Sequence, residues 1–183
     1  MKHYIILTTL AIASAVACTT NTALKPAENV APPMPTAQTT LQVSSASDEV
    51  FDGQKIVKTD DEWRGVLSRD EFRVLREEGT EKPYSGELLK NIESGSYYCA
   101  ACRLKLFKSE TKYDSQTGWP SFYEPIVAAN VTEKVDSSHG STRTEVECSR
   151  CGSHLGHVFD DGPKPTGLRY CMNSVALKFE KSK

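Results

Sequence analysis

Two Cys-x-x-Cys pairs, Cys99/Cys102 and Cys148/Cys151, stand about fifty residues apart in this chain of 183 residues. Two intervening residues let one turn aim both sulfurs at one ion, and four thiolates complete the tetrahedral shell of zinc. The spacing therefore predicts one zinc ion. Because that shell is closed, we expect the zinc to be structural and not to activate water. The alternative is two redox pairs of the thioredoxin type, but no βαβ pattern surrounds either pair.

Cys171 is left without a metal pair to join. A lone cysteine in a strand is commonly a small buried hydrophobe. Here Arg169 precedes it by two residues and Asn173 follows by two, so all three side chains are expected on one face of a strand. A guanidinium near a thiol stabilises the thiolate, which is the nucleophilic form. The spacing therefore predicts that Cys171 is a nucleophile.

Two histidines and a tryptophan are further candidates for a site. His154 and His157 lie between the second metal pair and Cys171. They could belong to a Cys/His zinc site. Four cysteines already complete the shell of a tetrahedral ion, however, so neither histidine is needed as a zinc ligand and both can have another role. Trp119 is held between Gly118 and Pro120 in a turn. Its indole either fills the core or forms the wall of a pocket, and the residues alone leave both open.

Composition limits the class of protein. With 38% hydrophobic residues the chain can bury one good core, hence one domain. The net charge is −2 and the calculated pI about 6.1, so no basic field attracts nucleic acid. Six cysteines, four of them at zinc spacing, indicate a metal site and a reactive thiol instead of a disulfide scaffold.

The N-terminus predicts export. Residues 1–17 resemble a signal peptide: Lys2 precedes an apolar run that is too short to span a bilayer. Ala15 and Ala17 fit ordinary signal cleavage, while Val16-Ala17-Cys18 resembles a bacterial lipobox, although Ala15 replaces its usual leucine. Both interpretations place the cleavage of the signal peptide immediately before Cys18. We favour lipid attachment to Cys18, which otherwise would be an unexplained free cysteine, and expect a periplasmic, membrane-anchored lipoprotein.

The segment 18–55 is predicted to be a flexible tether. It is rich in Thr, Ala, Pro and Ser and has no apolar periodicity, so it cannot bury enough surface to offset its ordering entropy. The alternative is a disordered tail without a role. Residues 56–183 form the predicted domain.

The domain is expected to be mainly β (α+β). Thr59 or Asp60 can cap a helix that contains Trp63, Val66 and Leu67. Ser68 begins a second helix, with Glu71 in a capping box and Gly79 at its end. Beyond Gly95 the pattern changes to period two, as in 142–147 and in Val175-x-Leu177-x-Phe179. We therefore expect antiparallel strands after two short N-terminal helices, with the two Cys-x-x-Cys turns forming the zinc site.

Four motifs resemble peptide methionine-R-sulfoxide reductases of the B type. They are Thr80-Glu81-Lys82-Pro83-Tyr84-Ser85-Gly86, Gly118-Trp119-Pro120-Ser121-Phe122, His154-Leu155-Gly156-His157-Val158-Phe159-x-Asp161-Gly162-Pro163 and Arg169-Tyr170-Cys171-x-Asn173-Ser174. The resemblance runs in order from about Asp60 to Phe179 and does not cover the first 55 residues. Enzymes of this class restore methionine from its sulfoxide.

The resemblance implies a fold, a site and partners. The fold is two antiparallel sheets with the zinc far from the nucleophile, Cys171. The family's zinc ligands fall on the four paired cysteines. Its substrate-binding residues fall on Trp119, His154, His157, Asp161, Arg169 and Asn173. The implied partners are oxidised proteins or peptides and a thioredoxin-like thiol reductant. Nucleic acid is not expected as a partner, and the chain is expected to be a monomer.

The implied reaction begins with attack of the Cys171 thiolate on the sulfoxide sulfur, with Trp119 against the S-methyl group. His154, His157, Asn173 and a water held by Asp161 would supply the proton and hydrogen bonds that the oxygen needs. Cys171 is left as a sulfenic acid, which a thiol must reduce. Many family members have a resolving cysteine just before the Gly-Trp-Pro-Ser-Phe motif, but this chain has Thr117. The usual internal disulfide is therefore in doubt.

Two other classes compete with this interpretation. A zinc ribbon that binds protein or nucleic acid would have the same four paired cysteines, but it would not require Cys171, the two histidines or Trp119. A secreted structural domain with a buried thiol would not turn over a sulfoxide. Thiol-dependent turnover separates the enzyme from both.

Overall fold

The computed structural model describes residues 50–138 and 140–183. The predicted signal peptide, the lipid-attachment residue Cys18 and most of the predicted tether lie outside these ranges. The described elements in chain order are α1 (Asp60–Arg64), α2 (Arg69–Leu75), β1 (Gly95–Cys99), β2 (Lys105–Lys108), β3 (Lys112–Tyr113), β4 (Ser121–Phe122), β5 (Val131–Asp136), β6 (Arg143–Cys148), β7 (His154–Phe159), β8 (Arg169–Met172) and β9 (Leu177–Lys181). Short 3₁₀ helices span Ser109–Thr111, Ala128–Asn130 and Ser174–Ala176.

The strands form two antiparallel sheets. One has the order β2-β1-β9, and the other has the order β3-β4-β8-β7-β6-β5. Strand β8 lies inside the larger sheet, between β4 and β7. The predicted mainly β fold with two antiparallel sheets and short N-terminal helices is therefore confirmed.

An aromatic cluster packs one sheet against the other. Phe107 on β2 stacks on Phe122 on β4, with ring centroids 4.4 Å apart. Tyr97 on β1 meets the edge of the same Phe122 ring at 4.9 Å. All three side chains are fully buried. Aromatic rings in such offset and edge contacts contribute packing beyond their buried area, so this cluster fixes the distance between the sheets.

Both helices begin with a capping box, and the box at Ser68 and Glu71 was the one predicted. The Thr59 hydroxyl accepts the N–H of Glu62, whose carboxylate accepts the N–H of Thr59, and Ser68 and Glu71 make the same exchange. Thr59, not Asp60, is thus the first cap. Each box satisfies two backbone N–H donors that the first turn of a helix leaves without partners.

The predicted ends of the helices are wrong. Helix α1 stops at Arg64, and Gly65 is its C-cap, so Val66 lies beyond the helix and is 63% exposed. Helix α2 stops at Leu75, well before Gly79. Leu75 is the last side chain of that helix to reach the core, and the residues that follow it have no apolar face to bury. Packing against the core therefore set the length of α2, and the glycine did not.

The last strand is also shorter than predicted. Val175 belongs to a 3₁₀ helix, and β9 begins at Leu177. The carboxylate of Glu81 accepts the backbone N–H groups of Ser174 and Val175, at 2.7 and 3.0 Å. Because these donors are already used, they are not available to a strand ladder at that point.

The described end of the predicted tether lies against the domain. The N–H of Phe51 donates to Oδ1 of Asn130 at 2.8 Å, and Nζ of Lys55 donates to the carbonyl of Ser149 at 2.6 Å. The boundary between 55 and 56 stays a prediction. Within residues 50–138 and 140–183, none of the helices has the length and apolarity needed to cross a bilayer.

Candidate active site and metal centre

Two similar turns present the paired cysteines. The N–H of Arg103 donates to the carbonyl of Cys99 at 2.9 Å, and the N–H of Gly152 donates to the carbonyl of Cys148 at 2.8 Å. Arg103 and Gly152, each directly after a second cysteine, both have φ 64. This left-handed conformation suits glycine and is uncommon for other residues. Its presence at Arg103 indicates that the tight turn around the sulfurs is held by the surrounding fold.

The four sulfurs are arranged as a zinc ion requires. Their Sγ atoms all lie within 4.8 Å of one another. Sγ of Cys99 is 3.7 Å from Sγ of Cys151, and Sγ of Cys102 is 3.5 Å from Sγ of Cys148. A tetrahedral ion with Zn–S bonds of about 2.3 Å would set its ligands about 3.8 Å apart. The residues thus fit the predicted structural zinc.

The metal site joins the two sheets. Cys99 ends β1 of the smaller sheet, and Cys148 ends β6 of the larger one. Arg76 supports the second turn: its Nη1 donates to the carbonyl of Cys151 at 3.1 Å and to Oγ of Ser153 at 3.3 Å. Cys171 and the two histidines lie outside this four-cysteine cluster. One zinc ion therefore ties together the sheets that the aromatic cluster packs.

Cys171 lies on β8, a strand that pairs with a neighbouring strand along each of its edges. In the register of the larger sheet it lies opposite Ser121 on β4 and His157 on β7. Its side chain is half-buried, and its Sγ lies 3.7 Å from Oγ1 of Thr117. Directly opposed residues in a sheet share a face. The fold thus brings the predicted nucleophile next to one of the predicted histidines.

Arg169 is held near Cys171 by Asp161. Its Nε and Nη2 donate to the two carboxylate oxygens, each at 2.7 Å, and the guanidinium lies 4.2 Å from the centre of the Phe159 ring. The bonds to Asp161, and secondarily the negative charge available at Cys171, raise the pKa of Arg169. Asp161 is largely exposed, so its oxygens keep room for a water beside Arg169. A permanent positive charge is thus fixed in reach of the thiol.

A bulge between Val146 and Glu147 places both histidines at the site. His154 pairs with Glu147, and His157 pairs with Glu145. Residues three apart along a regular strand point to opposite faces. With one residue absorbed by the bulge, the two rings instead meet with centroids 5.4 Å apart at 65°.

Each histidine is paired with a carboxylate. Nδ1 of His154 lies 2.6 Å from Oε1 of Glu145, and Nε2 of His157 lies 2.9 Å from Oδ2 of Asp136. Burial lowers the pKa of His157, although the bond to Asp136 opposes that shift. His157 is thus neutral at neutral pH and donates Nε2–H to Asp136. Nε2 of His154 is buried and has no partner among the described residues, so it is available for a proton.

Glu81 is a site residue for which the sequence analysis proposed no role. Its carbonyl accepts the indole N–H of Trp119 at 3.2 Å, and its own N–H donates to Oδ1 of Asn173 at 3.0 Å. Its carboxylate caps the 3₁₀ helix that begins at Ser174. One residue therefore links Trp119 to the chain directly after Cys171. Its partners are up to 94 residues away, so no local pattern could have identified it.

The expected position of Asn173 is wrong in one respect. Strand β8 ends at Met172, one residue before Asn173, and the Asn173 side chain is buried. Its Nδ2 donates to the carbonyl of Leu155 at 3.1 Å, while its Oδ1 accepts from Glu81. The amide is thus rigidly oriented, with one of its two N–H groups bonded to Leu155.

The turn that carries Trp119 is held by the same segment as Glu81. The N–H of Tyr84 donates to the carbonyl of Gly118 at 2.8 Å, and its hydroxyl donates to the carbonyl of Gln116 at 2.7 Å. Gly118 has φ 97, and a Cβ there would lie 2.8 Å from Cβ of Pro83. Only glycine fits this close approach. Trp119 itself is half-buried, which is consistent with a pocket wall.

Comparisons with known proteins agree on one family. The model of a SelR domain matches residues 67–181. A protein of Leptospira interrogans called "Peptide methionine sulfoxide reductase MsrB" is 54% identical over 127 residues, which is 69% of this chain and 97% of that protein. Proteins with the same description from Thiobacillus denitrificans and Methanosarcina mazei are 57% and 56% identical, over 67% and 69% of this chain and 92% and 91% of their own lengths.

Loss of one thiolate should remove the metal and unfold the domain. We expect about one zinc ion per chain in the purified protein, from the four-thiolate count. Cys148→Ser should abolish zinc retention and native circular dichroism, since metal-binding energy in such a site is folding energy. Cys171→Ser, which keeps the four ligands, is the matched control and should retain the zinc. Elemental analysis and circular dichroism measure both, and a stably folded, zinc-free protein would contradict the prediction.

Proposed function

The chain belongs to the SelR family, and we propose that it reduces methionine R-sulfoxide in peptides and proteins to methionine with Cys171 as its nucleophile. It is an oxidoreductase of the peptide methionine sulfoxide reductase class. The observation that carries the role of Cys171 is its position in the larger sheet, opposite His157 and two residues from Arg169 on the same strand. Family membership also removes the zinc-ribbon and purely structural alternatives.

Activation of Cys171 is the first requirement. The thiolate is the nucleophile, and a fixed cation nearby favours it over the thiol. Arg169 provides that charge, and its pairing with Asp161 prevents it from turning away. The half-buried position of Cys171 leaves the sulfur open to a substrate.

The reaction transfers one oxygen. Attack of the Cys171 thiolate on the sulfoxide sulfur forms a bond between the two sulfurs, and the oxygen takes up a proton. The oxygen is then transferred to the Cys171 sulfur as its bond to the methionine sulfur and the sulfur–sulfur bond both break, so that Cys171 is left as a sulfenic acid and methionine leaves. The oxygen gains negative charge during this step and requires hydrogen bonds and a proton. His154, whose Nδ1 is bound to Glu145, can carry a proton at Nε2, and the second N–H of Asn173 is a further donor.

Trp119 is proposed to contact the S-methyl group. Its indole N–H is occupied by the carbonyl of Glu81, which fixes the orientation of the ring. Sulfur and methyl groups pack favourably against aromatic rings. An adjoining groove of about 530 Å³ is lined in part by Tyr84, Ile92 and Gly118. Tyr84 and Ile92 are 68% and 95% exposed, which supports room for the polypeptide on either side of the sulfoxide.

Recycling of Cys171 is proposed to depend on an external thiol. The other cysteines among the described residues are the four zinc ligands, and Oγ1 of Thr117 lies 3.7 Å from the sulfur of Cys171. A thioredoxin-like protein would attack the sulfenic sulfur, release water and form a mixed disulfide, which its second thiol then resolves.

Export and membrane anchoring rest on the sequence. Residues 1–17 are proposed to be a signal peptide, with the lipid on Cys18 and the segment 18–55 as a tether to a periplasmic monomer. The relative from Leptospira interrogans is matched over 97% of its length by only 69% of this chain. The part of this chain that precedes the matched region is long enough to hold an export signal and a spacer.

Replacement of the nucleophile should abolish turnover without unfolding the protein. Cys171→Ser should reduce activity on a chromophoric methionine sulfoxide to background, because an alcohol is a poor nucleophile at neutral pH. Zinc content and circular dichroism should be unchanged. Chiral analysis of substrate left by the wild-type enzyme should show that the R epimer is consumed and the S epimer remains. Near-normal activity of the variant, or preferential loss of the S epimer, would contradict the assignment.

A cysteine at position 117 should change the product of a single turnover. Without reductant, the wild-type protein should gain one oxygen on Cys171, because the other cysteines among residues 50–138 and 140–183 are the four zinc ligands. Thr117→Cys should instead form a disulfide with Cys171, since the present side chains are 3.7 Å apart. Mass spectrometry of the peptide that contains Cys171 distinguishes the two products.

The control for recycling is Cys18→Ser in the otherwise wild-type chain. A thiol on a long tether could close onto Cys171 with only a modest entropy cost. If the wild-type protein gives a disulfide and Cys18→Ser gives a sulfenic acid, Cys18 is the resolving thiol and the lipid assignment is wrong.

The mass of the mature N-terminal peptide should show a lipid on Cys18. Expression in a bacterium with an intact export system should give a membrane-associated protein that begins at Cys18 and carries acyl chains. Cys18→Ser should release it into the soluble periplasmic fraction. An unmodified N-terminal cysteine, or an uncleaved Met1, would refute the proposed anchor.

A further inference from the structure

A chain of three hydroxyl groups ends at the sulfur of Cys171. Oγ1 of Thr117 lies 3.7 Å from that sulfur and 2.8 Å from Oγ of Ser115. Oγ of Ser115 in turn lies 2.7 Å from Oγ of Ser121. Ser121 is also within reach of the carbonyl of Trp119, at 3.2 Å. The chain therefore runs from a reacting atom to a fixed backbone acceptor.

The protein holds these hydroxyls in place. Ser121 is fully buried on β4, directly opposite Cys171 in the sheet. Thr117 and Ser115 are half-buried in the loop between β3 and β4. Gln116, which lies between them, has φ 59, and its carbonyl accepts the hydroxyl of Tyr84 at 2.7 Å. A left-handed residue held by a distant side chain indicates a loop conformation imposed by the fold.

When Cys171 is a neutral thiol, one arrangement of hydrogens satisfies every oxygen. The S–H donates to Thr117, Thr117 to Ser115, Ser115 to Ser121, and Ser121 to the carbonyl of Trp119. Each hydroxyl then donates once and accepts once. In this state the first of the three linked hydroxyls, that of Thr117, accepts a hydrogen bond from the sulfur.

When Cys171 is a thiolate, the same oxygens support the opposite arrangement. Ser121 donates to Ser115, Ser115 to Thr117, and Thr117 to the sulfur. Only the three hydroxyl hydrogens rotate, and no heavy atom has to move. Hydroxyls linked in one direction polarise one another, which strengthens the terminal bond to the anion. The three linked hydroxyls can therefore donate a hydrogen bond to the sulfur when it becomes charged.

We propose that Thr117 is a catalytic residue whose hydroxyl donates a hydrogen bond to the Cys171 thiolate, oriented for this by Ser115 and Ser121. This inference rests on the proposed role of Cys171 as the nucleophile. It gives Thr117 a function in the attacking step, separate from the recycling step in which a cysteine at this position would act. The hydroxyl and the guanidinium of Arg169 stabilise the same charge from different elements of the fold.

The experiment measures the alkylation of Cys171 by iodoacetamide, in which the thiolate displaces iodide. The zinc-loaded full chain is used, and peptide mass spectrometry follows Cys171 separately from the zinc ligands. Thr117→Val removes the hydroxyl while it keeps the shape of the side chain, and Thr117→Ser keeps the hydroxyl. Thr132→Val is the matched control, because the hydroxyl of Thr132, on β5, is also bonded to a serine hydroxyl, at 2.9 Å from Oγ of Ser149 in the second Cys-x-x-Cys turn.

At neutral pH, Thr117→Val should slow alkylation by about tenfold, the usual scale for a hydrogen bond to a charged group. Thr117→Ser and Thr132→Val should stay within about twofold of wild type, a difference that a lost bond to the anion would exceed. At a pH at which every Cys171 is ionised, the rates of Thr117→Val and wild type should converge.

Three results would overturn the proposal: a wild-type rate in Thr117→Val, a rate in Thr117→Ser as low as that in Thr117→Val, or a reduction that is the same at every pH. The last would indicate restricted access to the sulfur. Wild-type turnover of methionine R-sulfoxide and its loss in Cys171→Ser are measured separately, so a failure of the proposed function is distinguished from a failure of this inference.

Discussion

The site depends on the pairing of β8 with strands on both of its edges. Side chains alternate between the faces of a strand, so a slip of one residue would turn Cys171 to the opposite face. In the register observed, Cys171 lies between Ser121 and His157, and Arg169 lies opposite Phe159. The neighbours of the sulfur are thus set by backbone hydrogen bonds, before any side chain adjusts. That register places the proposed nucleophile between a serine and a histidine, two residues from the guanidinium of Arg169.

The remaining structure keeps that register rigid. The aromatic stack of Phe107 on Phe122 packs the smaller sheet against β4, the strand next to β8. The zinc ligands join β1 to β6, and β6 is separated from β8 only by β7. Glu81 connects Trp119 on one side of β8 with the chain that leaves it on the other. These three links attach to β4, to β6 and to the chain directly after β8, so a loss of the metal should affect the site through β7, which lies between β6 and β8.

Much of this could be predicted because it depends on short-range chemistry. The zinc site follows from two turns with fixed spacing, and the capping box of α2 follows from Ser68 and Glu71, three residues apart. The sequence was less informative where distant contacts decide the outcome. Helix α2 ends where its contact with the core ends, and Asn173 lies beyond the end of β8, with its amide bonded to Glu81 and Leu155. The bulge that brings the two histidines together lies in β7, where Leu155 is the extra residue, and Gly156 beside it was the one local sign of an irregular strand.

The central claim is that a sulfoxide binds against Cys171 with its methyl group on Trp119. A crystal structure of Cys171→Ser soaked with a peptide containing methionine R-sulfoxide tests it most directly. We predict the sulfoxide sulfur about 3–3.5 Å from the side-chain oxygen at position 171, as attack requires, with the S-methyl group on the indole and the sulfoxide oxygen toward His154 or Asn173. A peptide bound with its sulfoxide away from β8, or with its methyl group turned from Trp119, would contradict the account.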